Sequence, residues 1–216
     1  MILLGYSTAI FEFLHHGQFD LNKKIKAVYV DPEFKKSETW EGYPLITDLS
    51  EVRNYDYLCG LFDPIANKRM VNLAESHGMK VTDDVFIVRH GTQSISKFCE
   101  IGAGTIIGPD VSIYSNTKIG ESCQIAYIHH IGHDCEIGNY NTFLGSYSSF
   151  NSYSKCGDFN VFGPGSIIRD RINIGNGCGI SVGAVVTKNM PDGSIAIGNP
   201  AKIRKRKLRS EIRLWI

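Results

Sequence analysis

The chain has 216 residues, with 23 Lys and Arg against 22 Asp and Glu and a formal net charge of +1. So close a balance leaves no chain-wide basic field, which argues against nucleic acid as a partner, and no stretch reaches the apolar length of a membrane span. The length fits one or two domains. The six Cys show no Cys-x-x-Cys spacing and read as buried free thiols, placing the protein in a reducing, cytoplasmic compartment.

Residues 1–5 form a short apolar strand, too short and without the preceding basic residues of a signal segment. Tyr6-Ser7 follows, then a stretch through Gly17 that can be helical; 24–30 alternate as a second strand, 57–62 read as a third, and 68–77 as a helix closed by Gly78. Strands alternating with helical stretches predict a parallel α/β unit over residues 1–84, with ligands outside the carboxyl ends of its strands. Those ends carry Ser7 and Thr8, then Asp31 and Pro32, then Gly60. A Gly-x-Gly-x-x-Gly fingerprint is absent, so the spacing does not call for NAD.

From residue 85 onward the pattern changes. Ile95, Ile101, Ile107, Ile113, Ile119, Ile125, Ile131 and Ile137 recur every sixth residue. Neither a helix at 3.6 nor a strand at 2 produces that period. It predicts an all-β, hexapeptide parallel β-helix over residues 85–216, in which the first residue of each hexad points inward and the fifth, as at Thr105, Cys123, Cys135 and Cys178, fills the space beside it. After Ile137 the apolar positions are read at Leu144, Phe150, Cys156, Phe162, Ile168, Ile174, Ile180 and Val186. One extra residue near Phe143, most simply a bulge, explains the slip. Lys202, Arg204, Lys205, Arg206, Lys207, Arg209 and Arg213 then form a basic tail, read either as solvated or as phosphate-binding.

The chemistry is expected at His133. As third residue of its hexad it projects outward, and Asp134 and Glu136 are close in sequence; a carboxylate reaching the ring raises its basicity. Imidazole suits general-base work near neutral pH. His129 and His130 invite a metal, but His130 and His133 lie around a corner and the further histidines a site needs are missing, so no metal is expected.

Three runs, Ile131-Gly132-His133-Asp134-Cys135-Glu136-Ile137-Gly138, Val182-Gly183-Ala184-Val185-Val186-Thr187-Lys188 and Ile197-Gly198-Asn199-Pro200-Ala201-Lys202, together resemble the left-handed β-helix acyltransferases. Within these the chain is most similar to sugar acetyltransferases of the sialic-acid O-acetyltransferase and bacillosamine N-acetyltransferase type, which begin with a small Rossmann-like unit. The resemblance implies His133 as general base with Asp134 raising its basicity, a homotrimer with sites between neighbouring β-helices, and acetyl-CoA as cosubstrate. It implies that Thr142, Pro164 and Val182, with Gly183, Gly198, Pro200 and Lys202 of the two distal runs, line the acetyl-CoA path. Ser7, Thr8, Asp31, Pro32 and Gly60 would hold the nucleotide of a nucleotide-linked amino-deoxy sugar, such as a 4-amino-4,6-dideoxyhexose for surface glycans. Two departures stand out. Gly5-Tyr6-Ser7-Thr8 replaces the family's usual run after the first strand, and Ala126 replaces a family asparagine, so either another polar group, such as Tyr127 or His130, orients the sugar, or its ring and amine position differ from those of bacillosamine. Sugar O-acetylation is the alternative within the class, and a metal-dependent hydratase on the same repeat the alternative outside it.

Overall fold

The computed structural model describes residues 1–6, 24–88 and 93–205. Its first part is a five-stranded sheet of β1 (Ile2–Leu4), β2 (Ala27–Tyr29), β3 (Thr39–Trp40), β4 (Tyr43–Ile46) and β5 (Tyr57–Cys59), ordered β3-β4-β2-β1-β5. The β3–β4 pair is an antiparallel hairpin turning at Glu41 and Gly42, and every other pairing is parallel. Parallel strands are buried on both faces, and β1, β2 and β5 are buried throughout. Alternation then sends neighbouring residues to different partners. Ile2 and Leu4 pack with Met70, Val71 and Ala74 of α1 (Pro64–Ser76), whereas Leu3, Val28 and Leu58 pack with Phe86, Val88 and Ile106 of the first coils. The β-helix itself thus covers the face that a second helix layer covers in a doubly wound sheet.

The helix α1 starts before the expected residue 68. Asp63 caps it by accepting from the Ile65 and Ala66 N–H groups, and Pro64 takes a first-turn position where its missing N–H costs nothing. The C-terminal end is as expected, with Gly78 at φ 78° just beyond His77.

The second part is a parallel β-solenoid of two-residue strands in three sheets, beginning at Phe86–Ile87. Strands pair one coil apart, as Ser112 with His130 and Lys118 with Glu136. Ile107, Ile113, Ile125, Ile131 and Phe162 are at most 1% exposed, so the hexad ladder is the core. Polar residues at the fifth position satisfy themselves on the main chain: Thr117 Oγ1 donates to Gly132 O at 2.7 Å and Ser154 Oγ to Arg169 O at 2.9 Å.

The extra residue sits elsewhere than expected. Phe143, 1% exposed, holds the inward position opposite Ile125 and Phe162, while Leu144 is only half-buried. The ladder therefore runs from Phe143 to Phe150, and the corner between them is one residue longer than the others, with Tyr147 at φ 65° and 72% exposed. It is a longer corner, not a bulged strand, because a corner absorbs a residue without breaking the pairing on either side.

The basic segment also begins as regular structure. Ser194–Ile197 extends one sheet parallel to Gly179–Ile180, and Lys202–Lys205 returns antiparallel beside it. Arg206, Lys207, Arg209 and Arg213 lie outside the described residues, as do Ser7, Thr8 and the stretch read as helical after residue 6. Among the described residues no helix is long and apolar enough to cross a membrane.

Candidate active site at a corner of the β-helix

The strands His130–Ile131 and Glu136–Ile137 flank the corner that carries His133. At Gly132 a Cβ atom would lie 2.5 Å from Ser152 N, so only glycine lets this corner approach the next coil. The His133 N–H donates to Ser152 Oγ at 3.2 Å, tying the main chain to that coil. Asp134 has φ 56°, and this left-handed turn carries its carboxylate back over the preceding side chain, with His133 Nδ1 2.6 Å from Asp134 Oδ2. A carboxylate only accepts, so Nδ1 carries the proton and Nε2 is the nitrogen left to work. The other carboxylate oxygen accepts from Asn116 Nδ2 at 3.3 Å. The hydrogen bonds from His133 and then Asn116 hold the Asp134 carboxyl below the usual range. With side chains 46% and 38% exposed, the pair is open to a ligand.

The neighbours divide by position in the hexad. Glu136 pairs with Lys155 Nζ at 2.7 Å on the flat face beyond the corner, so Asp134 alone serves the ring. Cys135 is buried and its thiol is pushed up to about 11 by burial, which removes it as a nucleophile. His129 is 2% exposed, while His130 is exposed against Tyr114 with ring centroids 5.0 Å apart. Among the described residues no three His, Cys, Asp or Glu side chains converge on a metal-sized site. Ala126 is buried at the corner preceding the His130–Ile131 strand, and Tyr127 packs into the core shared with β1, β2 and β5. Of the two groups considered for orienting a sugar, only His130 is exposed.

Of the residues expected along the acetyl-CoA path, Pro164, Val182 and Gly183 lie on successive coils of one corner, linked by Gly183 N–H to Pro164 O at 2.9 Å. Val182 is 72% exposed. The hairpin with Gly198, Pro200 and Lys202 is clipped to the last coil by Val185 N–H to Gly198 O at 3.0 Å and Ala201 N–H to Val185 O at 2.8 Å. Thr142 does not join this surface: it is 1% exposed within a sheet whose outward positions, Ile106, Gln124 and Val161, are also covered.

A cavity of about 350 Å³ opens at the carboxyl ends of β1, β2 and β5, lined by Gly5, Tyr6, Val30, Asp31, Phe34, Lys36, Leu61, Ala66, Arg69 and Met70. Asp31 is ion-paired with Arg69 of α1. Pro32 opens a 3-10 turn and does not line the cavity, and Gly60 serves packing instead: a Cβ there would lie 2.2 Å from Gly5 O. Arg69, Lys36 and Phe34 were not foreseen as site residues. Arg69 already lay within the helix read over 68–77, but it is the packing of Met70, Val71 and Ala74 against β1 that turns it toward the strand ends.

No protein-family model matches the chain. It is 36% identical over 124 residues to a GDP-perosamine N-acetyltransferase of Escherichia coli O157:H7, covering 55% of this chain and 56% of that protein. It is 30% identical over 133 residues to an acyl-[acyl-carrier-protein]–UDP-N-acetylglucosamine O-acyltransferase of Campylobacter concisus, covering 62% and 48%. The chain thus spans about half the length of these curated relatives. Among solved structures, a mutant perosamine N-acetyltransferase from Caulobacter crescentus, in complex with CoA and GDP-perosamine, matches 95% of this chain and 96% of its own at a TM-score of 0.77 and 20% identity. WeeI from Acinetobacter baumannii AYE matches 94% and 98% at 0.71 and 26%. In sequence and in fold the chain is therefore similar to hexapeptide-repeat left-handed β-helix sugar acyltransferases.

Proposed function

We propose that the protein transfers the acetyl group of acetyl-CoA to the amine of a nucleotide-linked amino sugar. One observation carries the reading: His133 is the outward imidazole whose Nδ1 is held 2.6 Å from a carboxylate, leaving Nε2 exposed to take a proton. As the sugar nitrogen forms its bond to the thioester carbonyl carbon, Nε2 accepts the nitrogen's proton and Asp134 stabilises the imidazolium. The carbon–sulfur bond then breaks and the thiol leaves with a proton. General-base help of this kind contributes about 10²–10⁴-fold.

Two surfaces suit the substrates. The cavity offers Asp31 as acceptor and Arg69 and Lys36 as cations, the donor set for the hydroxyls and phosphates of a nucleotide. The distal corner offers the exposed apolar Val182 and Ile197 beside Lys202, Arg204 and Lys205, which fits a pantetheine arm ending in phosphates. The names of the relatives support the class, a nucleotide-linked amino sugar of the perosamine kind. On this reading residues 1–84 are a Rossmann-like nucleotide-sugar unit and residues 85–216 a left-handed acyltransferase β-helix, in a cytoplasmic enzyme of glycan biosynthesis.

The same reading makes the enzyme a homotrimer. One sheet presents outward Ser94, Ser112, His130, Ser149, Ile167 and Val185, with no Asp, Glu, Lys or Arg among them, while the next presents the ion pairs Glu100–Lys118 and Glu136–Lys155. The uncharged face is the one a second copy can cover without desolvating ions, and it ends at the His133 corner.

The test is His133→Asn with acetyl-CoA and GDP-perosamine as acceptor, following release of CoA. A loss of turnover of about 10²-fold or more with acetyl-CoA binding retained is expected. Unchanged turnover refutes the assignment. A loss to the detection limit, with amine and hydroxyl acceptors compared, would favour O-acetylation, because a hydroxyl depends on the base more completely.

A further inference from the structure

We infer that Tyr153, backed by Arg171, is a positioning residue that fixes the plane of the His133 ring; the inference rests on the reading of His133 as general base. The contact with Asp134 constrains one atom of the imidazole. It leaves the ring free to pivot about the Nδ1 to Oδ2 line, and both side chains stand in solvent at 46% and 38% exposure. A base that pivots presents Nε2 in a productive direction only part of the time.

The next coil supplies the second constraint. Tyr153 N–H donates to the carbonyl oxygen of His133 itself at 3.1 Å, so the two residues are tied through the main chain. Their rings meet at 5.0 Å between centroids and 85° between planes, an edge-to-face contact at the separation aromatic pairs prefer. The coil beyond repeats the device. Arg171 N–H donates to Ser152 O at 3.1 Å, its guanidinium lies 4.6 Å from the Tyr153 ring centre, and its Nη1 is held by Asp170 Oδ2 at 2.8 Å. Asn116, Asp134, Tyr153 and Arg171 all have φ between 56° and 62° and occupy the same corner position on four successive coils. Each therefore projects its side chain in the same sense. The result is a stack in which Asn116 holds Asp134 from one side, and Arg171 holds Tyr153 against His133 from the other. None of the ring contacts needs the tyrosine hydroxyl, so phenylalanine should substitute for it and leucine should not.

The experiment combines Tyr153→Leu and Tyr153→Phe, each alone and with His133→Asn, and reads two quantities. NMR relaxation of the ring C–H groups in histidine-labelled protein reports the motion of the His133 ring: the wild type and Tyr153→Phe should show a rigid ring and Tyr153→Leu a ring of larger amplitude, with Nδ1 protonated in all three. Acetyl transfer from acetyl-CoA to GDP-perosamine should fall about 10-fold in kcat for Tyr153→Leu with both KM values retained, recover in Tyr153→Phe, and show no further fall when leucine is added to His133→Asn. A ring as rigid in Tyr153→Leu as in the wild type overturns the inference, as does a leucine effect that persists without His133, which would mean that Tyr153 touches a substrate. If His133→Asn has no effect on transfer, the general-base reading fails, and the NMR result still decides whether Tyr153 fixes the ring.

Discussion

His129 should make the fold sensitive to mild acid. It fills a fifth hexad position at 2% exposure, against Phe143 at 5.9 Å, and burial pushes it down from 6.5 to about 4. The Ser148 N–H points at its Nδ1 at 3.3 Å, a bond that only an unprotonated Nδ1 can accept, so the geometry also requires the neutral ring. The unfolded chain binds a proton to this histidine below about pH 6.5 and the folded chain does so only below about 4, so stability is full above that window and falls as pH drops through it. A shift from 6.5 to about 4, at 1.36 kcal/mol per unit, gives a loss of about 3 kcal/mol. Urea denaturation of wild type and His129→Leu, from about pH 7.5 down to about pH 4, isolates the effect, since the variant keeps every other titrating group. The slopes are compared, not the offsets, because leucine leaves the Ser148 N–H unpaired at every pH. The wild type should lose about 3 kcal/mol more than the variant across the window. Parallel curves would show that the folded protein carries the charge on His129, and the reasoning from burial would be refuted.

Replacing Lys202, Arg204 and Lys205 with Gln should raise KM for acetyl-CoA and flatten its salt dependence, by about 1 kcal/mol or less per charge, while leaving the sugar nucleotide unaffected. A change in acceptor KM alone would move the strand Lys202–Lys205 to the acceptor site. Arg69→Ala should weaken binding of GDP measured by calorimetry, about 10-fold, because it removes a cation from the cavity and leaves Asp31 unpartnered by it. Unaltered GDP affinity would take the nucleotide out of this cavity. Sedimentation at micromolar concentration should show a trimer, and Ile167→Glu on the uncharged sheet should shift it toward monomer; a fully active wild-type monomer would contradict the placement of the site between copies.

The β-helix was legible because one geometric requirement repeats on every coil: Ile107, Ile113, Ile125 and Ile131 all meet the same interior, so the period survives any single exception. The position of the extra residue was not legible, for a local reason. Counting six forward from Ile137 reaches Phe143 and six back from Phe150 reaches Leu144, and both are apolar, so only the pairing of Phe143 with Ile125 chooses between them. In the first part β1, β2 and β5 were read at their places because their residues, buried throughout, are apolar. The β3–β4 hairpin was missed, since Thr39–Trp40 is exposed to half-buried and carries little apolar signal, and the start of α1 was missed although Asp63-Pro64 marks it.

The site shows the same division between what is adjacent and what is folded together. His133 and Asp134 are consecutive, so their pairing needs only a turn and could be read directly. Tyr153 reaches His133 by coil stacking across the longer corner, and counting eighteen forward from His133 lands on Asn151 instead. The two histidines of this region make the underlying point. His129 and His133 lie four positions apart, yet the fifth hexad position buries the first and keeps it neutral, while the third position leaves the second in water beside a carboxylate. The same side chain is a buried core residue in one case and an exposed, carboxylate-paired one in the other, and the difference is set by its place in a six-residue period. A histidine moved to an outward third position on another coil would gain exposure but not this setting, which Asn116, Asp134, Tyr153 and Arg171 build around His133.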